Sequence, residues 1–158
     1  LIEAPSHHPH LKSIVCCDDE LVMICAPQHA LSGLRNITAT QMAEQPYISR
    51  ESGSGTRNVV DDYFRAAGVQ PEDLHIVMEL GSPEAIKGVV ATGLGVSVLS
   101  RATVAKELKL GVLVAVPLDP PLIRTLSVVT PRNKFCSRLV SAFAEFSVLR
   151  MKEMAAAR

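Results

Sequence analysis

"YISRESGSGTRNVVDDYFRAAG", residues 47–68, decides how this chain is read. A short strand-like run enters a loop that carries the charge pair Arg50 and Glu51, the hydroxyls of Ser52, Ser54 and Thr56, and glycines at 53 and 55. It leaves at once into a helical pattern. Val59, Val60, Tyr63, Phe64 and Ala67 form one apolar stripe, Asp61 is spaced to pair with Arg65, and Gly68 supplies a C-terminal stop. "LHIVMEL" reads as the next strand. In "SPEAIKGVVATG" Ser82 stands at the N-cap, Pro83 at the first helical position, and Ile86, Val89 and Val90 face inward; Gly93 ends the helix. "GVSVLS" is again a strand. Strand, helix, strand, helix, strand means βαβ units and a mostly parallel sheet, hence an α/β fold.

Outward from this segment, "LKSIVC" and "ELVMICA" read as two short strands separated by "CDDE", the second apolar enough to be covered on both faces. Residues 27–37 form a loop, and Thr38 or Thr40 can cap a single helical turn in "TATQMAEQ". Beyond the βαβ segment come a helix around "VAKEL", a strand "LVAVPL", a boundary at "PLDPP" (residues 117–121), a strand "LIRTLSVVT" and a long terminal helix. Leu139, Phe143, Phe146 and either Leu149 or Arg150 fall near one face of that helix.

Apolar residues make up 47% and charged residues 20%, a globular balance, and 16 basic residues cancel 16 acidic ones. Phosphate contacts supply most nucleic-acid affinity, so a neutral chain without Trp, with 4% aromatics, is a poor nucleic-acid surface by itself. No apolar run reaches membrane-spanning length. Cys16, Cys17, Cys25 and Cys136 form no C-x-x-C pair; three lie in apolar runs, as expected of buried reduced thiols in a cytoplasmic protein.

The loop "SGSGT" has a definite chemistry. Its glycines let successive N–H groups point into one concavity, and Ser54 or Thr56 can cap the following helix, whose first amides lack internal partners at the positive end of the dipole. Such a place suits carboxylate, phosphate or sulfate. A plain capped turn satisfied by water fits the motif equally well. There is no G-K-[ST] and no G-x-G-x-x-G, so it is not a nucleotide loop. Gly81 and Ser82 form a second junction of the same kind, and in a parallel sheet such junctions share the edge where open α/β folds bind ligands. Two hydroxyl-bearing helix starts could thus converge on one small acid.

"ISRESGSGTR", the strand end "VMELGS", "EAIKGVVATGLGVSVLS" and "LVAVPL", together with "DDELVMICAPQHAL", resemble the effector-binding domain of LysR-type transcriptional regulators, along nearly the whole chain. Ala30 stands where the family usually has proline. The resemblance implies a periplasmic-binding-protein-like (type 2), two-lobed α/β/α fold, with a small anionic metabolite bound between lobes. It implies a cytoplasmic homo-oligomer, dimer or tetramer, that reaches DNA only through an N-terminal winged helix-turn-helix domain absent from this chain. The family's effector contacts map onto Ser52, Ser54, Gly55, Thr56 and Ser82. Residues 20–117 are then the second lobe, and 1–19 with 118–158 are remnants of an incomplete first lobe. The terminal helix and "LIRTLSVVT" are expected to leave apolar surface uncovered.

No cofactor, metal or catalytic residue is expected. "SHHPH" at residues 6–10 beside Cys16 and Cys17 matches no closed zinc pattern, and Asp18, Asp19 and Glu20 would raise rather than lower the thiol pKa values. Asp61 and Asp62 lie about 100° apart on a helix, a poor acid–base pair. His75 is read as packed or exposed, and Lys87 as solvated unless it reaches an anion. Two rivals stand beside the regulator reading: a solute-binding protein of a transport system, and an enzyme on the same scaffold.

Overall fold

A computed structural model of the chain describes residues 10–132 and 137–156. Its elements are β1 (Leu11–Cys25), β2 (Ile37–Thr38), α1 (Ala39–Ala43), β3 (Tyr47–Arg50), α2 (Gly55–Ala66), β4 (Ile76–Leu80), α3 (Pro83–Ala91), β5 (Ser97–Ser100), α4 (Ala105–Leu110), β6 (Val114–Pro131) and α5 (Arg138–Ala156). The chain divides into two compact units. One is Glu20–Leu122; the other takes in residues up to Asp19 and from Ile123 onward.

In Glu20–Leu122, β3 and β4 pair in parallel, with Ser49 opposite Glu79 and Arg50 opposite Leu80. A parallel bridge, Tyr47 to Val96, ties β3 to the lead-in of β5. β5 runs antiparallel to β1, from Leu21–Ser100 to Ile24–Ser97, and β2 lies parallel to β6. The βαβ segment is thus parallel as its sequence predicts, but β1 makes the sheet as a whole mixed. Gly95 is demanded by the close approach at the β3 bridge: a Cβ there would lie 2.4 Å from the Pro46 carbonyl oxygen, which accepts the Val96 N–H at 2.9 Å.

Successive residues of a strand face opposite sides, and β1 shows it. Leu21, Met23 and Cys25 join one apolar cluster with Val60, Tyr63 and Phe64 of α2; Val22 and Ile24 join another with Ile86 and Val90 of α3. The helices therefore cover opposite faces, which is why "ELVMIC" is apolar without alternation. Fully buried Phe64 meets Tyr47 edge-on at 5.9 Å and Tyr63 at 6.2 Å. Each such pair adds roughly 0.5–1.5 kcal/mol beyond area burial.

Two expected breaks are absent. β1 is one strand through "CDDE", and β6 is one strand through "PLDPP". Asp19 stays in the strand because Arg124 of β6 meets it at 2.9 Å, both side chains buried, and Thr125 reaches Asp18 at 3.3 Å. Proline's fixed φ suits extended backbone where its missing N–H is not needed.

In the second unit α5 leaves much of its apolar surface to solvent: Leu139 is 79% exposed, Phe143 69% and Phe146 59%. Grooves of 410 and 530 Å³ run along it, lined by Val140 and Ala144 in common. No helix among the described residues is long and apolar enough to cross a membrane.

Candidate functional site

Because Arg50 faces Leu80 in parallel register and the Glu51 N–H donates to the Leu80 carbonyl at 3.2 Å, β3 and β4 end side by side. One chain passes into residues 51–54 and α2, the other into Gly81, Ser82 and α3. β4 flanks one side of β3 and β5 meets the other, so the path across the sheet reverses here. With α2 and α3 on opposite faces, their N-termini border one sheet edge from both sides. A reversal of this kind opens the crevice in which open α/β sheets take ligands.

The five site residues expected from sequence divide by environment. Gly53 has φ +85, a conformation glycine adopts without penalty, and this turns the loop into α2. Ser54 is the N-cap: its Oγ accepts the Arg57 N–H at 3.5 Å, and its side chain is buried. Thr56 is buried in the first turn, while Ser52, Gly55 and Ser82 are exposed. Ser82 occupies the N-cap position of α3 with Pro83 after it, yet its hydroxyl makes no capping bond. It is a cap by position only.

Around these hydroxyls stands a set of charges the sequence reading did not assign to the site. Arg50 grips Glu51 through two bonds of 2.7 and 2.8 Å, and those bonds hold the Glu51 carboxyl below its ordinary pKa. Arg57 donates to the Glu79 carboxylate and to the Arg50 carbonyl (3.0 Å), and lies 3.7 Å from Asp61. Desolvation raises the Asp61 pKa despite that neighbour. Arg65 bonds Asp62 at 3.0 Å, not Asp61 as its spacing suggested, because Arg57 takes Asp61 from the preceding turn. Beneath the helix start Tyr47 is buried, and desolvation followed by the Asp61 charge pushes its phenol far above the usual range. The space enclosed by Tyr47, Ser49, Thr56 and Arg57 is only about 10 Å³, at the lower limit for one water. A space of that size does not admit a metabolite.

Lys87 neither reaches this edge as an anion partner nor is solvated. It is buried, 2.7 Å from Glu84 and 3.0 Å from Glu107, and donates to the Thr103 carbonyl. Cys16 and Cys25 are buried and Cys17 half-buried; burial raises the Cys25 thiol pKa. No group of three or more potential metal ligands occurs among the described residues, and Cys136 and the first histidines of "SHHPH" lie outside them. The signal for Arg57 and Glu79 was present in principle. Strand register sets Glu79 two residues before the second junction, opposite Ser49, but register is not readable until the pairing is known.

This is an α/β architecture of the periplasmic-binding-protein type found in LysR regulatory domains. The model of the LysR substrate binding domain family matches residues 1–151, and the chain belongs to that family. It is 41% identical over 147 residues to an uncharacterized HTH-type transcriptional regulator, YeiE, of Escherichia coli K12, covering 92% of this chain and 48% of that protein. Against the RuBisCO operon transcriptional regulator of Acidithiobacillus ferrooxidans the identity is 35%, covering 92% and 47%. The chain thus spans about half the length of the curated relatives it matches. The Synechocystis PCC6803 CcmR regulatory domain, solved in complex with 2-PG, superposes with a TM-score of 0.85 at 32% identity, covering 97% of this chain and 73% of that one. The effector binding domain of QuiR in complex with shikimate, at 21% identity and TM-score 0.77, shares the fold. These relatives are transcriptional regulators, and the transport reading is set aside.

Proposed function

We propose that the chain is the effector-sensing part of a LysR-type transcriptional regulator. A small anionic metabolite binds at the β3/β4 edge, and its occupancy modulates DNA binding by a winged helix-turn-helix domain of the whole protein. Differential affinity for two conformations is all such a switch requires. In this reading Glu20–Leu122 is the second lobe of the effector domain, and the unit formed by residues up to Asp19 and from Ile123 belongs to the first. The whole protein acts in the cytoplasm as a homo-oligomer and performs no catalysis.

The observation that carries the reading is the register of Arg50 opposite Leu80, which delivers both helix starts to one edge. Ser52, Ser54, Gly55, Thr56 and Ser82 form the wall: Ser52, Gly55 and Ser82 meet the guest, Ser54 fixes the helix start, and Thr56 sits in the first turn. Glycine and serine at the approach leave amides accessible to an oxyanion.

The 32% identity to a domain solved with 2-PG makes 2-phosphoglycolate the first candidate in a calorimetric screen of small phosphates and carboxylates against the whole regulator. Ser52→Ala and Ser82→Ala, which remove the two exposed hydroxyls, are each expected to weaken binding of the anion by about 1–2 kcal/mol, as for a lost hydrogen bond to a charged group. Unchanged affinity in both variants, with unaltered melting, would place the pocket elsewhere.

A further inference from the structure

The proposed anion site already holds an anion of its own. Glu79 is the next-to-last residue of β4 and stands between the two junctions. One of its carboxylate oxygens accepts the Ser52 N–H at 3.4 Å, and the other receives the Arg57 guanidinium. Those are two donors an oxyanion at the start of α2 would seek: a loop amide and the cation nearest to it. The other carboxylates at this edge are engaged separately, Glu51 by Arg50 and Asp61 by the opposite side of Arg57. With two arginines against three carboxylates (2 − 3 = −1), the edge carries no spare positive charge to draw an anion in.

We infer that Glu79 is a built-in competitor for the effector's anionic group and so sets the concentration at which the site fills. The inference rests on the effector-site reading above. The Glu79 side chain is 48% exposed, so it can swing into water without stranding a buried charge, while Arg57 remains anchored to the Arg50 carbonyl and beside Asp61. The arriving group takes the Ser52 amide and the guanidinium in its place. The Ser52 contact is long, and the close pair with Arg57 is partly exposed to water, where an ion pair contributes little. Binding is then an exchange of one anion for another at a preformed pair of donors, and its free energy is the difference between the two.

The test is an amide-resolved NMR titration of this chain with inorganic phosphate, comparing wild type, Glu79→Gln, Glu79→Ala and, as a control that removes one charge elsewhere on α2, Asp62→Asn. Phosphate is expected to shift the amides of residues 52–56, and both Glu79 variants to lower the apparent Kd by about threefold or more, the scale of one partly exposed ion pair. Asp62→Asn is expected to leave it within about twofold. An unchanged or weaker Kd in the Glu79 variants would overturn the inference, because Glu79 would then be a bystander or a direct contact to the guest. Equal tightening by Asp62→Asn would overturn it too, reducing the effect to net charge. If phosphate moves these amides in neither wild type nor Glu79→Gln, the site reading itself falls and this inference with it; if it moves them equally, only the competitor role is lost.

Discussion

At position 87 an ammonium group lies under the surface, its side chain 8% exposed, between the carboxylates of Glu84 and Glu107. Burial works against its charge, yet the hydrogen bonds it donates to Glu84 and Glu107 outweigh that and raise the Lys87 pKa above 10.5, while Lys87 holds Glu107 below 4.5. The raised lysine contributes stability that is full below 10.5 and is lost as pH rises through its higher folded value. The depressed glutamate contributes stability that is full above 4.5 and is lost as pH falls through its lower folded value. Lys87→Met should therefore destabilise the chain by about 2 kcal/mol near neutrality, by leaving Glu107 beneath the surface without its cation. The gap in urea midpoints should narrow below pH 4.5 as Glu107 protonates. Lys87→Met with Glu107→Leu should recover most of the loss. Equal stability of wild type and Lys87→Met at neutral pH would contradict the pairing. This triad is only half legible beforehand: Glu84 and Lys87 are readable as an i,i+3 pair, but Glu107 arrives from α4 across a distance in sequence that no local pattern spans.

Among the elements, the two helix starts look alike in sequence and differ in structure. Ser54 makes its capping bond and Ser82 does not. Ser54→Ala should cost about 1 kcal/mol of stability in thermal or urea unfolding, and Ser82→Ala only a few tenths. Equal costs would mean the caps have been misassigned. The helices themselves were legible because Val60 and Phe64, and Ile86 and Val90, repeat at helical intervals and are buried. β1 and β6 were less legible. "CDDE" and "PLDPP" carry the residue types that usually end strands, and only the partner strand supplies Arg124 to Asp19 and lets extended backbone continue.

Over the whole molecule, the βαβ order and the sharing of one edge by two junctions were readable from sequence, because each followed from strand direction alone. The surroundings of that edge were not, since Arg57 and Glu79 meet only after β3 and β4 are in register. The apolar stripe of α5 was equally readable, but its side chains face solvent, and Leu139, Phe143 and Phe146 remain mostly exposed. Periodicity reports which face is apolar and not what covers it. The claim on which the functional account depends is that residues 51–56 and 81–83 take hold of a single oxyanion together. Crystals of the chain soaked in selenate, whose selenium is located by anomalous scattering, test it most directly. The expected result is one selenate at the β3/β4 edge within hydrogen-bonding distance of the loop amides before α2 and of Ser82, with Glu79 displaced from Arg57. Selenate bound at one junction alone, or only at sites remote from both, would contradict the account.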